Sequence, residues 1–288
     1  MKKIFFCLLF FFSTYCLFSQ SLLWKISGKH LEHPSYLYGS IHIQDERVFA
    51  FDSVVWNAFN SCDAFAMEVL LDEVNPKELR AAMYMPKGKT LSGMMSKEDF
   101  HLLDSIFRKA TGTSVMFCNT LKPFFISSSM LQSSLRQDKN QALDMFLLDT
   151  ARKVGKKCYG VEKLQTQIDA IDAISLKEQI RILSEALHKD YTDTNQTNIE
   201  FDNLLNAYLE ADFDKIFDLT KDESLPKKFN QVFLVDRNIG MAKSLIHLMS
   251  TQSVFCTVGA AHLAGKKGVI NILRKKGYIV EPIPFKWL

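Results

Sequence analysis

The sequence predicts an α/β protein with a mixed central β-sheet, flanking helices and a largely helical central insertion. Short apolar runs bounded by Gly, Pro and Ser, which are typical of buried strands, lie towards both ends of the chain. Between them, from about 75 to 250, apolar residues recur mostly at helical spacing. The 288 residues, 47% of them apolar, suffice for one such domain, which we predict at residues 21–288.

The first twenty residues are predicted to be a secretory signal peptide rather than part of the fold. Lys2 and Lys3 precede an apolar segment at residues 4–12, and smaller, more polar residues follow up to Gln20. The apolar segment is well short of the roughly 20 residues that a membrane-spanning helix needs. We therefore expect an exported protein, periplasmic or secreted, with no integral membrane association after signal cleavage.

The charge balance argues against nucleic acid as a partner. The formal net charge is +3, and the sequence has no Arg-rich run and no stripe of aromatic and basic residues. No nucleic-acid binding is expected.

Four cysteines remain outside the predicted signal: Cys62, Cys118, Cys158 and Cys256. An oxidising compartment would permit disulfides, in any of three pairings. Alternatively these cysteines are small buried hydrophobic residues. The absence of a Cys-x-x-Cys motif argues against a thiolate zinc site.

The first two strands are predicted to form a hairpin that ends at a histidine. Apolar residues at 22–26 and 35–41 flank a polar turn at 28–34. The second strand runs into Gly39 and reaches His42 three residues later, which makes a Gly-x-x-His motif. Glycine there lets the backbone turn sharply or a ligand approach closely, because it has no Cβ.

A third strand is predicted at residues 64–70, after a short helix that Asp52 caps. It carries Glu68 within an otherwise apolar run. A carboxylate in a buried strand is costly unless it is paired or bound to a cation. Glu68 is therefore either a residue of a functional site or a buried ion-pair partner, for which Arg237 is the candidate.

The middle of the chain is predicted to be helical, with a loop at 112–119. Pro76, Ser96 and Pro123 are start signals for separate helices. A short strand at 157–161 interrupts the helices.

That strand places Glu162 two residues after Gly160. Helices are expected again from 164 to 248, with breaks near 190–195 and at 222–226.

The end of the chain is predicted to be a β-α-β unit. Strands at 254–258 and 278–283 flank a helix at 261–276, which Gly277 ends. The first of these strands leads into a second Gly-x-x-His motif, from Gly259 to His262.

His42 and His262 are predicted to share one site built from both ends of the chain. In open α/β sheets, ligands bind at the carboxyl ends of the strands, which is where both motifs lie. Either histidine alone would more often be a packing residue. Their matching contexts, taken with Glu68, favour a shared site.

These motifs resemble those of the TraB/GumN family, which includes the Tiki membrane-anchored proteases. That family is marked by two Gly-x-x-His motifs, one near each end, and by a glutamate on the strand after the first motif. Here Gly39–His42, Gly259–His262 and Glu68 correspond to them. The turn at Gly160–Glu162 and the pair Arg237-Asn238 also resemble positions that family members share.

The resemblance implies an α/β fold related to erythromycin esterases and haem-binding ChaN-like proteins. It also implies a metal-dependent hydrolase, since Tiki proteins are similar to metalloproteases. Two histidines and a carboxylate suit a divalent metal such as zinc or manganese, with an open position for a bound water. We therefore expect His42, Glu68 and His262 to be metal ligands or immediate partners of the metal.

Three further residues are candidates for catalysis. Glu162 is a candidate general base or a partner that hydrogen-bonds to a metal ligand, or alternatively a carboxylate that satisfies backbone amides at a helix start. Arg237 is expected to stabilise a developing oxyanion or a substrate carboxylate, with Asn238 orienting it. Alternatively, Arg237 and Asn238 belong to a polar helix face.

The predicted function is metal-dependent hydrolysis in an exported protein, with a peptide or protein as the leading substrate. The sequence contains neither a Gly-x-Ser-x-Gly elbow nor a His-Glu-x-x-His motif, which argues against serine hydrolases and helix-borne zinc proteases. The alternative is a non-catalytic protein that binds peptide or haem in the same cleft.

Overall fold

A six-stranded mixed sheet forms the centre of the protein, in strand order β4-β3-β5-β2-β1-β6. The computed structural model describes residues 21–189, 194–220 and 227–288. Its strands are β1 (Leu23–Ser27), β2 (Ser35–Ser40), β3 (Ala64–Met67), β4 (Lys157–Gly160), β5 (Val254–Gly259) and β6 (Ile279–Pro282). Neighbours among β4, β3, β5 and β2 are parallel, whereas β1 is antiparallel to β2 and β6. The predicted α/β class with a mixed sheet is confirmed.

Helices flank this sheet and make up most of the chain between β3 and β5. They are α1 (Ser53–Asn60), α2 (Pro76–Met83), α3 (Leu91–Met94), α4 (Lys97–Thr111), α5 (Pro123–Ser134), α6 (Leu143–Lys153), α7 (Leu164–Asp172), α8 (Leu176–Lys189), α9 (Thr194–Leu209), α10 (Phe213–Thr220), α11 (Lys227–Asn230), α12 (Arg237–Met249) and α13 (Val269–Lys275). A π-helix, Gln231–Asp236, leads directly into α12. The predicted signal peptide and the predicted helix breaks near 190–195 and at 222–226 lie wholly or mostly outside the described residues.

The helix starts follow the capping signals in the sequence. The side chains of Asp52, Asn75 and Ser96 each accept a hydrogen bond from a backbone N–H in the first turn of α1, α2 and α4. Proline occupies the start of α2 and α5, where its missing N–H costs no helical hydrogen bond. Gly112, with φ of +74°, ends α4 in the left-handed conformation.

Two groups of buried apolar side chains support the fold. The larger one packs the sheet against its flanking helices, with Tyr38, Phe59, Phe65 and Phe255 among its largest members. The smaller one, which we call the insertion cluster, joins α3, α4, α5 and α8. Its buried members are Met85, Leu91, Leu103, Phe107, Val115, Ile126, Met130, Ile180, Leu183 and Leu187.

Two predicted elements near the site differ in the structure. The predicted helix at 261–276 is wrong over its first half: a single 3-10 turn, Ala260–His262, is followed by an irregular segment before α13. Gly265 has φ of +80° and Gly268 has the extended ψ of 159°, so neither residue has helical backbone dihedrals. The third strand is shorter than predicted and ends at Met67, immediately before Glu68.

Smaller differences concern a loop and the cysteines. The predicted loop at 112–119 contains a 3-10 helix, Val115–Cys118. Cys62 and Cys256 are buried, and the described cysteines are all free thiols. Within the described ranges, no helix is both long enough and apolar enough to cross a membrane.

Candidate active site

Four of the predicted site residues lie at one edge of the sheet. His42 follows β2, Glu68 follows β3, Glu162 follows β4 and His262 follows β5. Because β4, β3, β5 and β2 are parallel neighbours, their carboxyl ends meet at this edge. The topology therefore collects residues that are up to 220 positions apart along the sequence.

The two motif glycines permit close packing at this edge. A Cβ on Gly39 would lie 2.7 Å from the Leu263 Cδ1 atom, and one on Gly259 would lie 3.3 Å from the Glu68 Oε1 atom. Neither glycine has a positive φ. Their role is therefore the absence of a side chain where β2, β5 and Glu68 come together, rather than an unusual backbone conformation.

Arg237 joins the ends of β3 and β4 through their glutamates. Its Nε and Nη2 atoms donate to both oxygens of Glu162, at 2.8 and 2.9 Å, and Nη2 also donates to Glu68 Oε2 at 2.7 Å. Nη1 donates to the Phe233 carbonyl oxygen at 3.1 Å. The side chains of Arg237 and Glu162 are 5% and 3% exposed. The ion pair that the sequence allows between Glu68 and Arg237 is thus present.

The second oxygen of Glu68 faces His262. Oε1 accepts the Gly259 N–H at 2.8 Å and lies 3.8 Å from His262 Nε2. Burial alone would raise the pKa of Glu68, but the neighbouring His262, Arg237 and Gly259 N–H together hold it below its ordinary value. The carboxylate is therefore ionised at neutral pH.

Asn238 sets the protonation of His262. The asparagine Nδ2 donates to the Lys267 carbonyl oxygen at 3.0 Å, so its Oδ1 accepts from His262 Nδ1 at 2.6 Å. Burial lowers the pKa of His262, which keeps the ring neutral with the lone pair on Nε2. Asn238 therefore orients His262 and not, as predicted, Arg237. Adjacent residues of a helix do not face the same way, so Arg237 and Asn238 reach different strand ends.

Consequently two hydrogen-bond acceptors face each other across 3.8 Å. His262 Nε2 carries a lone pair, and Glu68 Oε1 is part of an ionised carboxylate. This arrangement offers two electron pairs to a cation or to a donor between them.

His42 is placed differently from His262. Its side chain is 64% exposed, and its Nδ1 lies 2.8 Å from Asp144 Oδ1, at the start of α6. The hydrogen bond to Asp144 raises the pKa of His42, with burial opposing it and the charges of Asp144 and Glu68 adding to it. His42 and Glu68 line the same cavity, of about 310 Å³, which we call the His42 cavity.

A second, larger cavity lies on the side of Arg237 and His262. Its volume is about 540 Å³, and Glu68 and Gln167 line both cavities. We call it the apolar cavity, because most of its lining residues come from apolar positions of α2, α5 and α7 and from Phe233.

Residues 22–282 match the sequence profile of the TraB/PrgY/gumN family. The chain belongs to this family. The match covers all six strands and the four strand-end residues.

Several curated proteins that are similar to this chain carry the name metalloprotease. Metalloprotease TIKI2 of Danio rerio is 22% identical, over 92% of this chain and 61% of the relative. Metalloprotease TIKI homologs of Nematostella vectensis and Amphimedon queenslandica are 23% and 24% identical, over 91% of this chain and 67% and 61% of the relatives. The chain thus spans less than two thirds of the first of these relatives. No solved structure is significantly similar to it.

The predicted metal ligands are only partly brought together. Among the residues that the structure describes, no three His, Cys, Asp or Glu side chains form a group that could hold a metal ion. His262 and Glu68 face each other, whereas the ring of His42 is paired with Asp144. The chemistry of the facing pair fits a divalent ion, since a neutral imidazole and a carboxylate are common zinc and manganese ligands.

Sequence reasoning missed three residues that contact the predicted ones. Asp144 pairs with His42, and Gln167 donates to Glu68 and Glu162 at 3.2 Å each. The Tyr208 hydroxyl donates to the Gly39 carbonyl oxygen at 2.9 Å. All three lie on helices, and nothing in their local sequence distinguishes them from ordinary helix positions.

Proposed function

We propose that this chain is an exported metal-dependent hydrolase that cleaves peptide bonds in a peptide or protein substrate. Membership of the TraB/PrgY/gumN family and relatives that are named metalloproteases support the reaction class. The observation that carries the proposal is the pair of acceptors, His262 Nε2 and Glu68 Oε1, that face each other across 3.8 Å. Export rests on the predicted signal peptide at residues 1–20.

In this proposal His262 and Glu68 are the first two ligands of a zinc or manganese ion, and His42 is the third. Two ligands about 2.1 Å from a tetrahedral ion lie about 3.4 Å apart, so the observed separation of the pair needs little change. A bound divalent ion would supply an activated water and polarise the carbonyl group of the peptide.

The surrounding residues hold these groups in position. Asn238 keeps the proton of His262 on Nδ1, and Arg237, itself fixed by Glu162, holds Glu68 Oε2. Asp144 accepts the Nδ1 proton of His42, which leaves Nε2 as the atom free to bind. A histidine binds a metal ion only in its neutral form, and the pKa of His42 is raised. Ion binding should therefore become stronger as the pH rises through that pKa.

In this proposal Glu162 and Arg237 are positioning residues. Four of the five N–H donors of Arg237 are used by Glu162, Glu68 and the Phe233 carbonyl oxygen. Little donor capacity remains for an oxyanion. The carboxylate of Glu162 is likewise occupied by Arg237 and Gln167.

The first experiment measures the metal content and peptide cleavage of the wild type, a His42→Ala/His262→Ala double variant and a His101→Ala control. His101 is an exposed histidine of α4, outside both cavities. We expect about one ion per chain in the wild type and the control, lost in the double variant together with cleavage. Equal metal content in all three proteins, or cleavage that survives in the double variant, would overturn the proposal.

A non-catalytic peptide-binding protein is the competing function, and the two lined cavities at the strand ends suit it equally well. Tight binding of peptides without turnover, in protein reloaded with zinc and with manganese, would favour this alternative.

A further inference from the structure

We propose that the apolar cavity binds an apolar side chain of the substrate, preferably an aromatic one, next to the bond to be cleaved. This inference rests on the proposed function. The volume of about 540 Å³ lies within the range of roughly 300–1,000 Å³ that is typical of ligand pockets. A single large side chain and its flanking backbone fit such a volume.

The walls of the cavity are chemically suited to an aromatic ring. Leu79 and Met83 of α2, Phe124 and Phe125 of α5 and Phe233 of the π-helix are among its lining residues. The ring centroid of Phe124 is 5.5 Å from that of Phe125 and 6.3 Å from that of Phe233, at steep angles. Phe124 meets Phe125 edge to face and is tilted by 55° to Phe233, and a further ring can pack against such rings with a gain beyond simple burial.

Glu68, Glu162, Gln167, Arg237, Asn238 and His262, linked by hydrogen bonds or close contact at the strand ends, form what we call the strand-end network. The polar residues that line the cavity all belong to this network. Gln167 and Arg237 each donate a hydrogen bond to Glu68, and His262 faces Glu68. The rest of the lining is apolar. A side chain that enters this cavity therefore has its own backbone close to Glu68 and His262, where the hydrolysis is proposed.

The charge state of the cavity favours a neutral occupant over an acidic one. Among the described residues that line the cavity, Arg237 is the one basic residue apart from the neutral His262, and four of the five donors of Arg237 are already used. The carboxylate of Glu68 adds a negative charge at the same end. A carboxylate-bearing ligand would meet repulsion there and find almost no free donor.

The π-helix connects the cavity wall to the network. Arg237 donates to the Phe233 carbonyl oxygen, and its Cζ lies 5.2 Å from the centroid of the Phe233 ring. π-helical turns are rare and occur frequently at functional sites. Here the turn places Phe233, which lines the cavity, next to Arg237, which holds Glu68.

The two cavities share Glu68, Leu71 and Gln167. An extended peptide that passes Glu68 therefore reaches the His42 cavity on one side and the apolar cavity on the other. We therefore infer a preference for an apolar residue only at the substrate position whose side chain enters the apolar cavity.

The test uses the full chain and blocked pentapeptides Gly-Gly-X-Gly-Gly with X as Phe, Ala or Asp. Binding is measured by calorimetry and cleavage by mass spectrometry. Leu79→Trp fills the cavity, and Leu131→Trp, at an exposed position of α5 outside it, is the matched control. We expect the Phe peptide to bind at least about tenfold more tightly than the Ala peptide in the wild type and the control, with the preference lost in Leu79→Trp.

Phe124→Ala is a second variant that enlarges the cavity, and it should shift the preference from Phe towards Trp. Equal binding of the Phe and Ala peptides to the wild type would overturn the inference, as would a Phe preference that survives in both cavity variants. Cleavage without a Phe preference leaves the proposed hydrolase intact and rejects the cavity assignment. A Phe preference without cleavage under any metal supports the cavity and rejects the hydrolase.

Discussion

At the scale of single residues, the site consists of buried polar groups that fix one another. Arg237 satisfies two glutamates, one of which is nearly inaccessible to water, and Asn238 satisfies the inner nitrogen of His262. A buried charge is tolerated only when it is paired in this way. In this arrangement His262 Nε2 and Glu68 Oε1 keep lone pairs that are available to a cation or a hydrogen-bond donor.

Asn238→Ala tests whether orientation of His262 matters for the proposed ion. Without Oδ1, nothing holds the proton on Nδ1, and Nε2 is no longer kept as the free nitrogen. We expect the zinc affinity to fall about 10- to 100-fold, as for other partners of metal-binding histidines. Competition with a coloured chelator measures this affinity.

Asn57→Ala, at an exposed position of α1, is the control and should bind zinc like the wild type. An unchanged affinity in Asn238→Ala would mean that His262 does not bind the ion through an oriented Nε2.

At the scale of elements, the sheet could be predicted because each strand is a short apolar run bounded by turn-forming residues, which is a local sequence signal. Apolar runs that end in glycine predicted β2, β4 and β5, and the rule about strand ends then pointed to His42, Glu162 and His262. Glu68 was singled out differently, as a carboxylate within a buried strand. The ion pair of Glu68 with Arg237 could be anticipated because a buried carboxylate needs a cationic partner, whereas nothing in the sequence pointed from the exposed His42 to Asp144, 102 residues away. The helix prediction after β5 was wrong because Gly265 and Gly268 interrupt an otherwise suitable run.

Gly39→Ala tests the close approach at the end of β2. The added Cβ would lie 2.7 Å from Leu263 Cδ1 and 3.3 Å from the Ala260 Cα atom, so the buried Leu263 side chain must move and Ala260 must give by a few tenths of an ångström. Such overpacking typically costs about 1–3 kcal/mol of the free energy of unfolding. Urea denaturation followed by circular dichroism measures it.

Gly240→Ala is the matched control, because its Cβ would meet nothing within 4 Å and the residue lies within α12. Alanine there should stabilise the helix by up to about 1 kcal/mol. Equal stability of the two variants would show that the glycine of the first motif is not needed for packing.

At the scale of the whole molecule, the strand-end network lies between the main hydrophobic core and the insertion cluster. The main core holds the sheet against its flanking helices, and the insertion cluster holds α3, α4, α5 and α8 together. The apolar cavity opens between the sheet edge and α2, α5 and α7. This edge of the sheet is therefore covered by helices that the sequence predicts as helices without indicating which elements they pack against.

The pH dependence of stability should report the buried His262. Its pKa is lowered in the folded state by burial, with Arg237 adding to the effect and Glu68 and Glu162 opposing it. In the unfolded chain the pKa returns to about 6.5. Below that pH the unfolded state binds the proton first, so the free energy of unfolding falls as the pH falls.

We expect the urea midpoint of metal-free protein to decrease between pH 7 and pH 5 in the wild type and clearly less in His262→Gln. The neighbouring Glu68, with its lowered pKa, loses its contribution mainly below its unfolded pKa of about 4.3, which lies outside this window. His42 has a raised pKa and the opposite sign, but its ring is largely exposed. His101→Gln should keep the slope of the wild type, since His101 is exposed. If His262→Gln lost stability in parallel with the wild type, His262 would not be the neutral, buried imidazole on which the proposed ion site depends.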